Sequence, residues 1–233
     1  MVSCKAILLV CSASTVVNTL AIITGPPFPS SSFLERRKNM NTAPGNGTHN
    51  NFFYNFWTDG IGNVTYANSA NGSYSVQWSK CNNFLGGKGW SPGIENKNIT
   101  YNATKFSTNG DAMLSVYGWT RDPRVEFYIV ENWGSWNPAL QFGRVRDLLE
   151  VDNGGGRYGI GVVRVVRNAL GPDVWTQVWS VRETRRLAGT VNMKGHMDAW
   201  RDKLGIDMGT VQFQIVATEA YRSSGEAEVT VND

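Results

Sequence analysis

The stretch RVEFYIVENWG, residues 124–134, decides how the chain folds because its side chains alternate in character. Val125 and Phe127 point to one side of an extended chain and form an apolar face, whereas Glu126 and Tyr128 point to the other side. A strand of this kind places one face in a core, and its second face normally meets water. The simplest interpretation of Glu126 is therefore a surface carboxylate, and the alternative is a functional one.

Runs rich in Val, Ile, Tyr, Phe and Trp recur from Phe52 onward and are separated by Gly, Asn and Pro clusters, as in AMLSVYGWT, YGIGVVRVV and VWTQVWSVR. This spacing is typical of an all-β sandwich or barrel. One segment, HMDAWRDKLG, breaks the pattern, because Met197, Trp200 and Leu204 recur at helical spacing and Gly205 stands where a helix would end. We predict a single amphipathic helix on the outside of the sheets.

A second carboxylate lies in a similar setting, since Glu219 shares a strand face with aromatic and apolar residues in FQIVATEAY. Other strands repeat this mixture, and the members on one face are Trp175, Gln177 and Trp179 in one strand and Tyr117 and Trp119 in another. Aromatic rings stack on pyranose rings, and polar side chains bind their hydroxyl groups. These faces predict a binding site for a sugar polymer. Two carboxylates there suit glycoside hydrolysis, with direct attack at a separation of about 5 to 5.5 Å and an intervening water at longer separations.

The first part of the chain has the composition of a secretory leader. Lys5 precedes an apolar run that is too short and too often interrupted by polar residues to span a bilayer, and a dibasic pair ends the segment. A short buried strand is the alternative interpretation of the apolar run. We predict a signal peptide and propeptide over residues 1–37, a flexible N-terminal arm over 38–50 and one folded domain over 51–233. The processed protein is expected to be secreted, extracellular and free of the membrane.

Charge, cysteine and histidine content exclude several other classes. Residues 38–233 contain 19 basic and 18 acidic side chains, so the net charge of about +1 gives no reason to expect nucleic-acid binding. Cys81 is the single cysteine of that range, which rules out an internal disulfide there. His49 and His196 do not belong to a ligand-spaced cluster, so we expect neither a metal ion nor a cofactor. The acceptor sequences for N-glycosylation are at Asn46, Asn63, Asn71, Asn98 and Asn102.

Six segments of the chain are long enough to be specific: FFYNFWTDGIGNVTYAN, NFLGGKGWSPG, VYGWTRDPRVEFYIVENWGSWNP, WTQVWSVRETRRLAGTV, DAWRDKLGIDMGT and FQIVATEAYRSSG. They closely resemble the signature segments of family 11 glycoside hydrolases, the compact endo-β-1,4-xylanases. The resemblance runs in order from about Asn50 to the C-terminus. It implies a β-jelly roll of two curved antiparallel sheets, one α-helix and a deep cleft that binds a xylan chain. We expect a monomer whose partner is xylan.

The resemblance also implies how the site residues divide their work. Glu126 matches the nucleophile of the family and Glu219 its general acid/base, so that the anomeric configuration would be retained. Tyr117 and Gln177 match the residues whose hydrogen bonds keep the nucleophile ionised, whereas Glu219 must stay protonated until it is used.

Four further positions match cleft residues of the family. Trp57 corresponds to a stacking residue of the glycone half, with a core tryptophan as the alternative interpretation, and Tyr128 lies near it. Trp175 stands where relatives carry an aromatic or similar cleft residue. Asn83 matches the position that contacts the acid/base. Members with Asn there tend to work nearer neutral pH than members with Asp, so we expect a mildly acidic to neutral pH optimum.

The chain departs from the family pattern mainly in the thumb, a hairpin that closes over the cleft. The segment GVVRVVRNALGPDVW is shorter than usual and lacks the Pro-Ser-Ile tip, so either Arg164 or Arg167 could replace the cleft arginine; Arg164 is favoured because it needs the smaller shift. Three local departures are an Arg at 124 where a hydrophobic residue is usual, Phe213 in place of a common Tyr, and Ala220 in place of Gly.

Two functions from different classes follow. The first is a secreted retaining endo-1,4-β-xylanase. The second is a secreted protein of the same fold that the altered thumb has made catalytically impaired, leaving a xylan-binding protein or an elicitor. A pure binder has no need for carboxylates at Glu126 and Glu219, which favours the enzyme. A lectin-like jelly roll unrelated to hydrolysis would require the long segment matches to be coincidence.

Overall fold

The computed structural model describes residues 41–142, 147–151, 156–167 and 173–233. These residues form twelve strands, one α-helix (α1) and a short 3₁₀ helix at Pro138–Phe142. The elements in chain order are β1 Gly45–His49, β2 Phe52–Thr58, β3 Asn63–Asn68, β4 Ser73–Trp90, β5 Asn98–Thr108, β6 Asp111–Arg121, β7 Val125–Trp133, β8 Asp147–Val151, β9 Gly156–Arg167, β10 Asp173–Arg182, β11 Ala188–Asn192, α1 Met193–Leu204 and β12 Thr210–Asn232.

The strands form two layers that share two long strands, β4 and β12. The inner layer has the order β1-β2-β4-β12-β6-β7-β10-β9-β8, and the outer layer adds β3, β5 and β11 to the other halves of β4 and β12. Both long strands pass from one layer to the other at the same level. There Lys80 and Arg222 have φ angles of +50° and +43°, and the β4–β12 register shifts between Ser223 and Gly225. Irregular positions of this kind let a strand bend sharply.

The hydrophobic core lies between the two layers. Val125, Phe127 and Ile129 of β7 are buried in it, as their alternation predicts, and they belong to the same core cluster as Tyr101 and Val229 of the outer layer. The other face of β7 is buried as well, because it belongs to a second cluster on the far side of the inner layer. The predicted surface strand is therefore covered on both sides.

The predicted helix is α1, which ends at Gly205. Gly205 has a φ angle of +65°, a left-handed conformation that glycine adopts without a steric penalty, and its N–H bonds to the carbonyl of Arg201. Met197 and Trp200 are fully buried in the core, and the Trp200 ring lies 5.9 Å from that of Phe127. Together these features confirm the expected fold class, a sandwich of curved β layers with one helix.

Two features differ from the sequence expectations. Part of the segment that we expected to be a loose arm forms β1, which pairs with β2 across a two-residue turn at Asn50 and Asn51. Both asparagines have positive φ angles, of 50° and 65°, the conformation that joins tightly paired strands. In addition, the inner layer contains one parallel pair, β7 with β10, among its antiparallel pairs. The leader expected over residues 1–37 lies outside the described residues.

Candidate active site

The site lies on the side of the inner layer that faces away from the core, which we call the open face. Neighbouring strands β4, β12, β6, β7 and β10 supply it. Its buried apolar members are Leu85, Met113, Tyr117, Tyr128, Val130, Trp133, Trp179, Val181, Ile215 and Ala217. Two carboxylates, Glu126 and Glu219, are buried on the same face, with 6% and 5% of their surface exposed.

The Glu126 carboxylate accepts four hydrogen bonds. Tyr117 Oη and Tyr128 Oη donate to Oε1 at 2.9 and 3.0 Å, and Trp175 Nε1 and Gln177 Nε2 donate to Oε2, both at 2.7 Å. The strand register explains this convergence, because Tyr117 pairs with Tyr128, and Gln177 pairs directly with Glu126. Each oxygen thus has two donors, an arrangement that stabilises the anionic carboxylate required of a nucleophile.

The environment of Glu219 is the opposite. Tyr221 Oη donates a short hydrogen bond to Oε1, while Oε2 is buried without a hydrogen-bond partner. Burial raises the pKa of Glu219, the hydrogen bond from Tyr221 opposes the rise and the charge of Glu126 adds to it, so that the pKa is about 8. Glu219 is therefore protonated at neutral pH, as a general acid must be before it acts.

Curvature of the sheet brings the two carboxylates to a common space. Glu126 pairs with Trp119 of β6, and Glu219 pairs with Met113, six residues earlier on the same strand. In a flat sheet this offset amounts to about 20 Å. The charges nevertheless interact, since Glu126 raises the pKa of Glu219, and Glu219 raises that of Tyr128, a donor to Glu126. The inner layer must therefore bend around the space between them.

A cluster of aromatic side chains lies around the donors to Glu126. Trp119 Nε1 donates to Tyr117 Oη at 2.6 Å, so that a chain of two hydrogen bonds ends on Glu126. The rings of Trp119 and Trp175 lie 5.9 Å apart, and the Arg124 guanidinium lies 4.4 Å from the first ring centre and 5.5 Å from the second.

The remaining sequence candidates occupy different positions. Trp57 of β2 is 40% exposed and pairs with Leu85, a member of the open face. Asn83 of β4 lies opposite Tyr221, and its Oδ1 is buried without a partner; no hydrogen bond joins it to Glu219 Oε2. Tyr128 stacks on Trp179 with ring centres 3.9 Å apart.

The structure does not bring Arg164 to the open face. Arg164 pairs with Thr176 of β10 and is exposed, whereas its neighbour Val163 pairs with Gln177. Because side chains alternate along a strand, Arg164 points away from the side that carries Gln177. The side chain of the other candidate, Arg167, lies outside the part of the chain that the structure describes, as does the thumb tip at 168–172.

Sequence reasoning missed four hydrogen-bond donors. Tyr128 is predicted as a cleft residue, but its hydrogen bond to Glu126 is not predicted. Tyr221 shares a strand face with Glu219 and is two residues away from it, and that spacing is the available signal for their contact. The sequence predicts Trp119 and Trp175 as members of an aromatic face, but the partner of an indole N–H depends on its side-chain rotamer. Strand alternation specifies the face of a residue and leaves its rotamer open.

No group of side chains within the described ranges could hold a metal ion. In the same ranges, no helix has the length and apolar content needed to cross a lipid bilayer.

One carboxylate that accepts four hydrogen bonds and a second carboxyl group that burial keeps protonated, both held among aromatic side chains on a curved β sheet, are the arrangement of a glycoside hydrolase of the two-carboxylate class. Comparison with known proteins identifies the family. Residues 49–230 match the model for glycosyl hydrolases family 11, and the chain belongs to that family.

Relatives with similar sequences are fungal xylanases. The chain is 41% identical to endo-1,4-beta-xylanase I of Cochliobolus carbonum, over 95% of this chain and 98% of that protein. It is 46% identical to endo-1,4-beta-xylanase 4 of Pyricularia oryzae, over 82% of this chain and 80% of the relative. It is also 41% identical to ethylene-inducing xylanase 1 of Botryotinia fuckeliana, over 99% and 78% respectively.

Proposed function

We infer that the protein is an endo-1,4-β-xylanase, which hydrolyses internal β-1,4 linkages of xylan. Membership of family 11 and the xylanase names of several relatives support this function. The observation in the structure that carries the inference is the contrast between Glu126, with four donors, and Glu219, which burial keeps protonated.

We propose that Glu126 is the nucleophile of the first step. Its carboxylate attacks the anomeric carbon, and the bond from that carbon to the glycosidic oxygen breaks. Glu219 gives its proton to the departing oxygen, so that a hydroxyl group leaves instead of an alkoxide. The buried, protonated state of Glu219 supports this role, because a carboxyl group that is ionised at neutral pH has no proton to give.

In the second step Glu219 acts as a base instead of an acid. Glu219, now ionised, takes a proton from a water molecule as the water oxygen attacks the anomeric carbon. The bond to Glu126 breaks, and its electron pair returns to the carboxylate. Two inversions at the same carbon retain the anomeric configuration. The four donors around Glu126 support this step, since they stabilise the charge that returns.

The sugar chain would lie along the open face. Trp57 offers an exposed ring for stacking, and the partly exposed Trp175 offers an edge beside the nucleophile. Asn83 Oδ1 is an unpaired acceptor near Glu219 that a sugar hydroxyl could satisfy. We propose these three, with Tyr128, as substrate-binding residues, and we assign no such role to Arg164.

The name of one relative favours a second candidate function, that of an elicitor recognised by another organism. This function needs no catalysis and is compatible with the same fold. The enzyme is better supported, because Glu126 accepts hydrogen bonds from several donors while burial keeps Glu219 protonated, a contrast that an elicitor does not need.

We further propose that the protein acts as an extracellular monomer. Xylan is a polymer that an enzyme must meet outside the cell that secretes it, and a single chain supplies every residue of the proposed site. Sedimentation of the secreted protein and sequencing of its N-terminus would test these two points.

The test of function is the release of reducing sugar from xylan and from carboxymethyl-cellulose. We expect activity on xylan alone, and we expect both Glu126→Ala and Glu219→Ala to abolish it. Glu228→Ala is the matched control, because Glu228 lies on the same strand as Glu219 but is exposed on the outer layer, and it should leave activity unchanged. Co-sedimentation with insoluble xylan, without turnover by the unaltered protein, would instead support a binding protein or elicitor.

A further inference from the structure

We propose that Arg124, Trp119 and Trp175 form a clamp on the nucleophile that accelerates the second step of the reaction, the release of the sugar from Glu126. The inference rests on the proposed function and gives a catalytic effect to three side chains other than Glu126 and Glu219.

The two indoles of the clamp act on different oxygens of Glu126. Trp175 Nε1 donates directly to Oε2 at 2.7 Å. Trp119 Nε1 donates to Tyr117 Oη at 2.6 Å, and Tyr117 in turn donates to Oε1 at 2.9 Å. A donor that is itself hydrogen-bonded is polarised, which strengthens the bond that it makes. Both oxygens are thus fixed in position through an indole.

Arg124 holds the two indoles together. Its guanidinium lies 4.4 Å from the centre of the Trp119 ring and 5.5 Å from that of Trp175, within the range of cation–π attraction. Arg124 precedes β7, two residues before Glu126. Its position therefore adds a positive charge beside the nucleophile as well as a packing contact.

The effect on catalysis depends on whether Glu126 carries a negative charge at each stage of the reaction. Glu126 is an anion before attack, becomes a neutral ester in the intermediate and is an anion again after release. Donors that stabilise the anion make Glu126 a slower nucleophile and a better leaving group. The clamp therefore favours release over attack, and its loss should make the covalent intermediate accumulate. Arg124 and Trp119 are positioning residues in this scheme, because they act through Trp175 and Tyr117.

Trp175→Phe tests the clamp, since it removes the N–H and keeps an aromatic ring. The substrate is 2,4-dinitrophenyl β-xylobioside, whose leaving group needs no proton from Glu219, so that the second step limits kcat. We expect kcat to fall about tenfold, the loss of one hydrogen bond to a charged group, while kcat/KM stays the same or rises. Mass spectrometry after acid quenching should find more xylobiosyl-enzyme on the Glu126 peptide than in the unaltered protein.

A second pair of variants keeps the proposal testable if Trp175→Phe fails to fold. Arg124→Leu should reduce kcat about threefold in the same pattern, whereas Arg124→Lys, which keeps a cation near the rings, should restore most of it. Trp90→Phe is the matched control. Trp90 packs against Phe52 and the Lys97 ammonium, away from the open face, and its replacement should leave both constants unchanged.

The outcomes separate the clamp from the function on which it rests. A parallel fall of kcat and kcat/KM in Trp175→Phe, or no change in either, would overturn the clamp while leaving the xylanase intact. If the unaltered protein releases no dinitrophenolate and forms no intermediate on Glu126, the proposed function itself has failed.

Discussion

At the scale of single residues, Tyr221 is the neighbour that lowers the pKa of Glu219. Burial raises its pKa, and Tyr221 opposes this by donating to Oε1 of the ionised form. The pKa of Tyr221 is itself raised well above its ordinary value by burial and by the charge of Glu219, so its hydroxyl remains a donor over the working pH range. Tyr221 therefore limits how far the pKa of the general acid rises.

Replacement of Tyr221 by Phe should move the alkaline limb of the kcat/KM profile to higher pH. Activity requires a protonated Glu219, and the limb is expected at about pH 8 in the unaltered enzyme. Loss of the hydroxyl removes a bond to the ionised form, so the limb should rise by roughly half a unit to one unit. The measurement is kcat/KM on soluble xylan across the pH range.

Tyr54→Phe provides the control for this experiment. Tyr54 belongs to β2 and packs against the core, so the loss of its hydroxyl should leave the limb in place. A limb that stays at its original pH in Tyr221→Phe, or moves to lower pH, would show that Tyr221 does not set the pKa of the acid.

At the scale of elements, α1 supports the open face from behind. Ser180 of β10 accepts a hydrogen bond from Trp200 Nε1 at 3.1 Å and bonds to His196 Nδ1 at 3.0 Å. Gln177, three residues earlier on β10, donates to Glu126 on the opposite side of the sheet. Burial and the charge of Arg186 lower the pKa of His196 to about 3, so the imidazole stays neutral in this contact.

Replacement of Asn192 by Ala should lower the free energy of unfolding by about 1 kcal/mol. Asn192 is the N-cap of α1, and its Oδ1 accepts a hydrogen bond from the Gly195 N–H at 3.2 Å. Asn192→Asp keeps an acceptor and should retain most of the stability. Urea denaturation of the three proteins measures the difference. Equal losses in the Ala and Asp variants would mean that the cap does not stabilise the helix.

The sequence predicted those elements whose pattern is local. The alternation of Val125, Phe127 and Ile129 and the glycine stop of α1 are both confirmed, because each depends on neighbours within one element. The parallel pairing of β7 with β10 joins residues about fifty positions apart, and no local pattern encodes it. The hairpin at Asn50 and Asn51 was missed because an Asn-Asn pair is a weaker turn signal than Asn-Gly.

The site shows the same division. Glu126 and Glu219 follow from alternation and family resemblance, and their roles stay predictions. The four-donor shell of Glu126 could be predicted only in part, since the resemblance supplied Tyr117 and Gln177 but neither the hydroxyl of Tyr128 nor the indole of Trp175. Arg164 lies on the side of the sheet away from the open face because of the register of β9 against β10. The sequence does not reveal this register, because the thumb between the two strands is shorter than usual.

At the scale of the whole molecule, two buried carboxylates contrast. Glu131, in the core, accepts hydrogen bonds from Tyr101 and Tyr158 and pairs with the Arg186 guanidinium. Its charge is compensated on every side. Glu219 has one donor and no cation among its bonds, and one of its oxygens has no partner. The protein thus keeps an uncompensated carboxyl group where the reaction needs a proton, and that position should reduce stability.

Replacement of Glu219 by Gln should therefore stabilise the folded protein, by an amount that grows with pH. The ordinary pKa of a glutamate is 4.5, and burial raises that of Glu219 to about 8 in the folded protein. Between these values the folded protein binds a proton that the unfolded chain has lost, so stability is greatest below about pH 4.5 and declines as the pH rises to about 8. Gln cannot ionise, so the variant should match the unaltered protein at about pH 4 and exceed it in stability by more than about 1 kcal/mol at about pH 8.

Glu126→Gln is the control, because its amide N–H₂ group would face the N–H groups that donate to Glu126, and it should destabilise the protein at both pH values. Thermal unfolding of the three proteins at the two pH values decides the matter: a Glu219→Gln variant that is less stable at about pH 8, or whose difference from the unaltered protein does not change with pH, would show that Glu219 is not held protonated at the expense of stability.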